Sequence, residues 1–89
     1  MANRKQQSIV AGVRALEGFV PFAELWQGEG PRFESEQSAR WFKRQHGSEL
    51  AEAGALAFDR GTWHVHPGRF DKVRERVALE AARLRLQAA

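Results

Sequence analysis

Apolar residues recur three and four residues apart over much of the chain, which is the spacing of one face of a helix. Between residues 6 and 17 this pattern predicts a first helix, and we expect Gly18 to end it. Pro21 suits the start of a second short helix that runs to about Trp26. The residues Gly-Glu-Gly-Pro at 28–31 then mark the clearest break in the chain.

The middle of the chain predicts a capped helix. Ser35 can serve as its N-cap, because a serine hydroxyl accepts a hydrogen bond from an unpaired N–H of the first turn. Ala39 and Phe42 fall on one apolar face of this helix, and Gly47 is expected to end it. One or two further turns fit before Gly54.

A β-hairpin follows, with the compact turn Asp-Arg-Gly at 59–61. Apolar residues alternate with others on both strands, so one face of the hairpin should pack on helices. The residues of that face are Leu56, Phe58, Trp63 and Val65. Trp41, on the preceding helix, is expected in the core against the hairpin; the alternative is a position beside a bound groove.

The last and longest helix is predicted from about Pro67 to Gln87. Its apolar residues form two stripes, which we expect to lie side by side. The first stripe is Phe70, Val73, Val77, Ala81 and Leu84, and the second is Leu79, Ala82 and Leu86. Two stripes exceed what a small core requires, so we predict self-association through Leu79, Leu84 and Leu86. The alternative is that this helix only covers the core.

Composition narrows the class of protein. The 89 residues suit one domain, and the organisation we predict is an N-terminal tail and helix (1–18), a core (19–78) and the end of the last helix (79–89). The chain has no cysteine, which excludes disulfides and thiolate zinc sites. No apolar run approaches the length of a membrane span, and the basic N-terminus lacks the apolar core of a signal peptide. We therefore expect a cytoplasmic protein without membrane contact.

Charge points weakly to nucleic acid. The net charge is only +3, but arginine supplies 11 of the 14 basic residues. Arginine binds phosphates and guanine edges through two parallel hydrogen bonds, which lysine cannot do. An arginine-rich composition is equally typical of a GC-rich genome, so composition alone leaves both interpretations open.

No motif predicts catalysis. A glycine-rich loop after a strand is missing, which disfavours nucleotide binding, and no nucleophile arrangement stands out. His64 and His66 share one face of a predicted strand, and His46 could supply a third metal ligand, but histidines facing solvent explain the pattern more simply. We expect no enzyme activity, no metal and no cofactor.

The predicted helix and hairpin offer a set of DNA contacts. Polar and basic side chains of the helix would read base edges in the major groove, and the hairpin tip would contact the backbone. The candidates are Arg32, Ser35, Gln37, Ser38, Arg40, Lys43 and Arg44 of the helix region, with Arg60 and Thr62 of the hairpin. Base reading is assigned to Ser35, Gln37, Arg40 and Arg44. The competing interpretation is an ordinary solvated helix face.

The order of these elements resembles the small winged helix-turn-helix proteins of the excisionase and MerR-like group. The segments that carry the resemblance lie at 22–26, 38–42, 54–56, 60–65 and 66–70, and together the likeness spans about Phe19 to Val77. It implies an α+β, mostly α fold with a two-stranded wing and a long C-terminal helix. The linker between the two helices is longer than in that group, and the turns before Gly54 are additional.

The resemblance implies a function as well. Excisionases, or recombination directionality factors, are DNA-binding proteins of mobile genetic elements. They bind double-stranded DNA cooperatively near attachment sites, bend it and direct a partner integrase toward excision; many also regulate transcription. For this chain, the resemblance implies binding to the bacterial nucleoid in the cytoplasm, with neighbouring copies of the chain as partners on DNA. A protein–protein interaction module, including a small regulator that disables another protein, remains the alternative.

Overall fold

The structure, a computed structural model, describes residues 16–88. The predicted N-terminal helix therefore lies almost wholly outside the described residues. The described elements, in order, are strand β1 (Val20–Pro21), a short 3₁₀ helix (Phe22–Leu25), helix α1 (Glu36–Glu52), strands β2 (Leu56–Asp59) and β3 (Thr62–Val65), and helix α2 (Pro67–Ala88). The described chain is mostly helical with a small antiparallel sheet, in agreement with the predicted α+β class.

The sheet has three strands rather than the predicted two. β2 and β3 form the expected hairpin, with Leu56 opposite Val65 and Phe58 opposite Trp63. β1 pairs antiparallel with the other edge of β3, with Val20 opposite Val65, so the strand order is β1-β3-β2. A two-residue strand carries no periodic signal, and only the fold brings it to β3.

Helix α1 begins as predicted and ends later than predicted. The Ser35 hydroxyl accepts a hydrogen bond from the Ser38 backbone N–H at 3.2 Å, which is an N-cap. The helix continues past Gly47 with a kink at His46, because Leu50 in the next turn is fully buried. It ends at Glu52, and Gly54, with φ +73°, turns the chain so that the Ala55 N–H donates to the Leu50 carbonyl at 2.8 Å.

One small core joins the helices to the sheet. Its buried residues are Phe22, Leu25, Ala39, Phe42, Leu50, Ala55, Val65, Phe70 and Val73. Phe70, fully buried on the first turn of α2, lies against Phe42 and Phe33 with ring centroids 5.6 and 6.1 Å apart. These aromatic contacts fix α1 against the base of α2.

Two expectations about burial are wrong. Only the base of the hairpin face packs in the core: Val65 is buried, whereas Phe58 is 60% exposed and Trp63 38% exposed. The hairpin extends past the buried residues of the core, so Phe58 packs mainly on Trp63, and Trp63 meets Lys43 of α1 rather than an apolar helix face. Trp41 is 53% exposed, because on a helix it lies about 100° from Phe42 and on the flank of the buried face.

The stripes of α2 lie on opposite sides of the helix, not side by side. At about 100° per residue, Leu79 and Leu86 lie roughly half a turn from the stripe that contains Val77 and Leu84. The first stripe is buried at Phe70 and Val73, whereas every residue from 78 to 88 is exposed. About three turns of α2 therefore extend beyond the core. None of the described helices is long and apolar enough to cross a membrane.

Candidate nucleic-acid interface

The exposed side of α1 is polar and basic. Ala39, Phe42 and Leu50 define its buried side. Gln37 and Arg44 lie nearly opposite that side at about 100° per residue, and both are exposed. The turns of α1 before the kink thus place a long amide and a guanidinium where a bound molecule can reach them.

Arg40 and Lys43 lie on the flank of α1 that faces the hairpin. Lys43 Nζ lies 4.5 Å from the ring centroid of Trp63 and 5.8 Å from that of Phe22. A cation over an aromatic ring is stabilised by the negative face of the π system while its outer hydrogens stay available to solvent. The aromatic residues thus hold this ammonium between helix and hairpin.

The hairpin tip is a two-residue turn with an unusual arginine. Arg60 has φ +56° and Gly61 has φ +75°, the left-handed pair of a type I′ turn. Glycine adopts this conformation freely, but an arginine does so at a cost of about 1 kcal/mol or more. The guanidinium of Arg60 is exposed and lies 3.9 Å from the Asp59 carboxylate.

The structure brings the helix cations and the hairpin tip together. One open depression is lined by Arg40 and Lys43 from α1 and by Gly61, Thr62 and Trp63 from the hairpin. We call the surface formed by Gln37, Arg40, Lys43, Arg44, Arg60 and Thr62 the basic face. Of the nine predicted contact residues, Arg40, Lys43 and Thr62 line this depression. Arg60 adjoins it in sequence at the hairpin tip, and Gln37 and Arg44 lie on the exposed side of α1 next to Arg40 and Lys43.

Arg40 on the basic face already has a partner. Its Nε donates to the Glu36 carboxylate at 2.6 Å, one turn earlier on α1, and both side chains are at least half exposed. Such an exposed pair is weak, so a phosphate or a guanine can replace the carboxylate at little cost. Lys43 and Arg44 take part in none of the ion pairs found within residues 16–88.

Arg32 lies apart from the basic face and is bound to α2. Its guanidinium donates two hydrogen bonds to Asp71, at 2.5 and 2.8 Å. These hydrogen bonds lower the pKa of Asp71 and raise that of Arg32; charge attraction acts in the same direction, and burial opposes it. This pair fastens the segment before α1 to α2, so Arg32 has less charge to offer a phosphate than sequence alone suggests.

Ser35 and Ser38 are engaged in the N-cap. The Ser35 hydroxyl holds the Ser38 backbone, and the two hydroxyls lie 3.2 Å apart. Ser38 also turns toward the flank of α1 away from the hairpin, beside Phe33 and Trp41. Their assignment as base contacts stays a prediction, and their structural role is the start of α1.

Each of the three histidines has a local partner. His46 Nδ1 lies 2.9 Å from the Glu49 carboxylate, and His64 Nδ1 lies 3.2 Å from the Thr62 carbonyl. His66 Nδ1 accepts a hydrogen bond from the Arg69 backbone N–H at 3.1 Å and so caps α2. Among residues 16–88, no three acidic, histidine or cysteine side chains are grouped in a way that could hold a metal ion.

An aromatic pair beside the basic face was not among the predicted contacts. Phe58 and Trp63 are partners across the hairpin, with ring centroids 4.9 Å apart. Their alternation with polar residues assigned them to the core, and only the length of the hairpin relative to the core exposes them. They add an apolar surface next to Lys43.

Known families, proteins and structures were compared with the chain. No protein-family model, no curated protein and no solved structure matches the chain at a significant level.

Proposed function

We propose that this chain is a DNA-binding protein whose basic face contacts double-stranded DNA. In this proposal α1 lies in the major groove and the β2–β3 hairpin lies along the adjacent backbone, as in a winged helix-turn-helix. The observation that carries it is a depression to which α1 contributes Arg40 and Lys43 and the hairpin contributes Gly61 and Thr62; its floor also includes Pro21, Phe22, Ala23 and Trp26. Two separate elements thus offer cations and donors to one extended ligand.

The dimensions of the elements suit this role. The major groove is about 12 Å wide and admits one helix. Before the kink at His46, α1 presents three turns, with Gln37 and Arg44 one above the other on the exposed side. Gln37 suits the two hydrogen-bonding atoms of adenine, and Arg44 suits those of guanine. Arg40 can do the same once it exchanges Glu36 for a base.

The remaining cations would strengthen binding to any DNA sequence rather than select one, because they would contact phosphates and not bases. Lys43, held over Trp63, and Arg60 at the hairpin tip are placed for phosphate oxygens on the flank of the groove. Thr62 can donate its hydroxyl to the same backbone. We assign Arg32 to the fold rather than to this surface, because Asp71 holds both of its donating nitrogens.

The biological role that we propose is that of an excisionase or a small transcription regulator. A domain of 89 residues with few phosphate contacts binds one site weakly, so neighbouring copies on DNA would provide the affinity. Several such copies side by side would bend the DNA and could direct an integrase. This role rests on the resemblance of the sequence and on the basic face, and it places the protein in the bacterial cytoplasm.

The experiment that tests the proposal is a titration of fluorescent duplex DNA at several salt concentrations. The parent should bind with a log–log salt slope of about −2, because Lys43 and Arg60 would each neutralise one phosphate at about −0.9 per contact. The double variant Arg40→Gln/Arg44→Gln should bind at least tenfold more weakly, since a base contact is worth about 1–3 kcal/mol.

The matched control is Lys72→Gln/Arg85→Gln, which removes the same charge from exposed positions of α2. It should bind like the parent, apart from a small uniform loss. If both double variants lose affinity equally, only net charge matters and the basic face is not the binding surface. A parent that shows no salt-dependent binding would contradict the proposal as a whole.

A further inference from the structure

A long apolar groove lies on the flank of α1 away from the hairpin. It is lined by Trp41 and Phe42 of α1 and by Val77, Ala81 and Leu84 of α2, and it encloses about 610 Å³. Trp41 is 53% exposed and Leu84 51% exposed. The basic face uses none of these residues, so the groove is a second surface.

The groove continues a buried contact. The stripe of α2 that begins with Phe70 and Val73 inside the core runs on through Val77, Ala81 and Leu84 at the same spacing. Its first half packs on α1, and its second half has no partner among residues 16–88. A helical segment of about three turns gains little stability in water without such a partner. The packing surface of α2 is therefore longer than the core it packs against.

Ionisable groups of both signs surround the groove. Glu49 pairs with Arg76 at 3.8 Å across its rim and lies 2.9 Å from His46, and Glu80 at the outer end pairs with Arg83, which lies just outside the lining. Neither sign is in large excess around this rim. A nucleic acid or a strongly charged peptide would gain nothing here, whereas an apolar helix flanked by both signs would fit.

We propose that the end of α2 from a second copy occupies this groove, in a two-fold symmetric dimer. The end of α2 carries the required chemistry, since its apolar stripe is flanked by Glu80, Arg83 and Arg85. In an antiparallel arrangement, Leu84 of each copy reaches Val77 and Trp41 of the other, so both grooves are filled by one contact. Trp41 is the largest apolar side chain available to such a contact.

The interface of the proposed dimer is small, so its affinity is low. Three helical turns and one groove wall from each copy bury on the order of 600 Å² per copy, the lower end for a specific interface. The dimer is therefore weak and depends on concentration. Its groove opens on the flank of α1 opposite the hairpin, which leaves Arg40, Lys43 and Thr62 of both copies uncovered. Gln37, which lies beside Trp41, is at the edge of the contact.

Sedimentation of the full chain without DNA, from about 1 to 500 µM, tests this inference independently of DNA binding. The parent should shift from monomer to dimer across this range. Leu84→Asp should raise the dimer dissociation constant about tenfold or more, and Trp41→Ala should also raise it.

The matched control is Leu79→Asp, the same change on the opposite side of the same helix. It should dimerise like the parent, although Leu79 is more exposed than Leu84, at 66% against 51%. Circular dichroism should show that all variants are folded, because these positions lie outside the core. A parent that stays monomeric to the highest concentration, or equal effects of Leu79→Asp and Leu84→Asp, would overturn the inference.

Discussion

Arg60 occupies a backbone conformation that its side chain does not favour. With φ +56° it lies in the left-handed region, where glycine and asparagine are common and long side chains are not. The turn would close more readily with either of those residues. Such a conformation occurs in some ordinary turns and also at residues that contact a ligand, and a substitution distinguishes the two.

Replacing Arg60 should make the fold more stable and DNA binding weaker. Arg60→Asn should stabilise the fold by about 0.5–1 kcal/mol, which raises the midpoint of thermal unfolding by a few degrees. It should also weaken binding to every duplex alike and make the salt slope shallower by about 1. Thermal unfolding and the DNA titration measure the two effects. Lys72→Asn, which removes the same charge from α2, serves as the control. If Arg60→Asn binds DNA as tightly as the parent, the hairpin tip does not contact the DNA backbone.

The Arg32–Asp71 pair predicts how stability depends on pH. The fold lowers the pKa of Asp71 below its ordinary 3.8, chiefly through the hydrogen bonds from Arg32. The contribution of the pair is complete above that ordinary value and is lost as pH falls through the lowered pKa. Because Asp71 is half exposed, we expect the pair to contribute only about 0.5 kcal/mol.

Asp71→Asn should therefore unfold at a lower temperature than the parent at pH 6. The difference should begin to shrink as pH falls below about 4 and disappear as pH falls through the lowered pKa of Asp71. Thermal unfolding across pH 2–7 measures this convergence. Glu75→Gln, on the same helix and outside the described ion pairs, serves as the control. A difference between Asp71→Asn and the parent that stays constant down to the lowest pH would contradict the assigned cause.

At the scale of elements, two glycines near the end of α1 have different functions. A Cβ added at Gly47 would meet no atom within 4 Å, and Gly47 lies inside the helix. Gly54 has φ +73°, and a Cβ there would lie 3.3 Å from Arg69 Nη1, which donates to the Gly54 carbonyl. Only Gly54 is needed for the chain reversal into β2.

The two substitutions should have opposite effects on stability. Gly47→Ala should raise the free energy of unfolding by about 0.5–1 kcal/mol, because alanine restricts the unfolded chain and favours helix. Gly54→Ala should lower it by about 1 kcal/mol or more, because alanine is strained at positive φ. Chemical denaturation of both variants measures the signs. If Gly47→Ala also destabilises the protein, the kink at His46 requires that glycine.

Elements with a local signal could be predicted from the sequence, and those that depend on distant contacts could not. The Ser35 cap and the facing of Phe58 and Trp63 across the hairpin follow from residues close in sequence. Strand β1 exists only because β3 lies beside it. Gly47 was a plausible helix end, and the burial of Leu50 one turn later outweighs it.

At the scale of the whole molecule, the described chain has two surfaces on different flanks of α1. The basic face lies toward the hairpin, and the apolar groove lies toward the exposed end of α2. The sequence identified basic and apolar candidate residues, but not which flank of α1 each group lies on. The 100° spacing of a helix already separates Leu84 from Leu79 and Leu86. Arg32, by contrast, could not be separated from Arg44 until its long-range contact with Asp71 was known.

A titration of the full chain with duplex DNA, followed by amide chemical shifts, shows which residues the DNA touches. If the basic face binds DNA, the amides of Gln37, Arg40, Arg44, Gly61 and Thr62 should show saturable changes, with smaller changes at residues 78–88. Saturable changes confined to the end of α2, or no salt-sensitive change at any amide, would contradict DNA binding by the basic face.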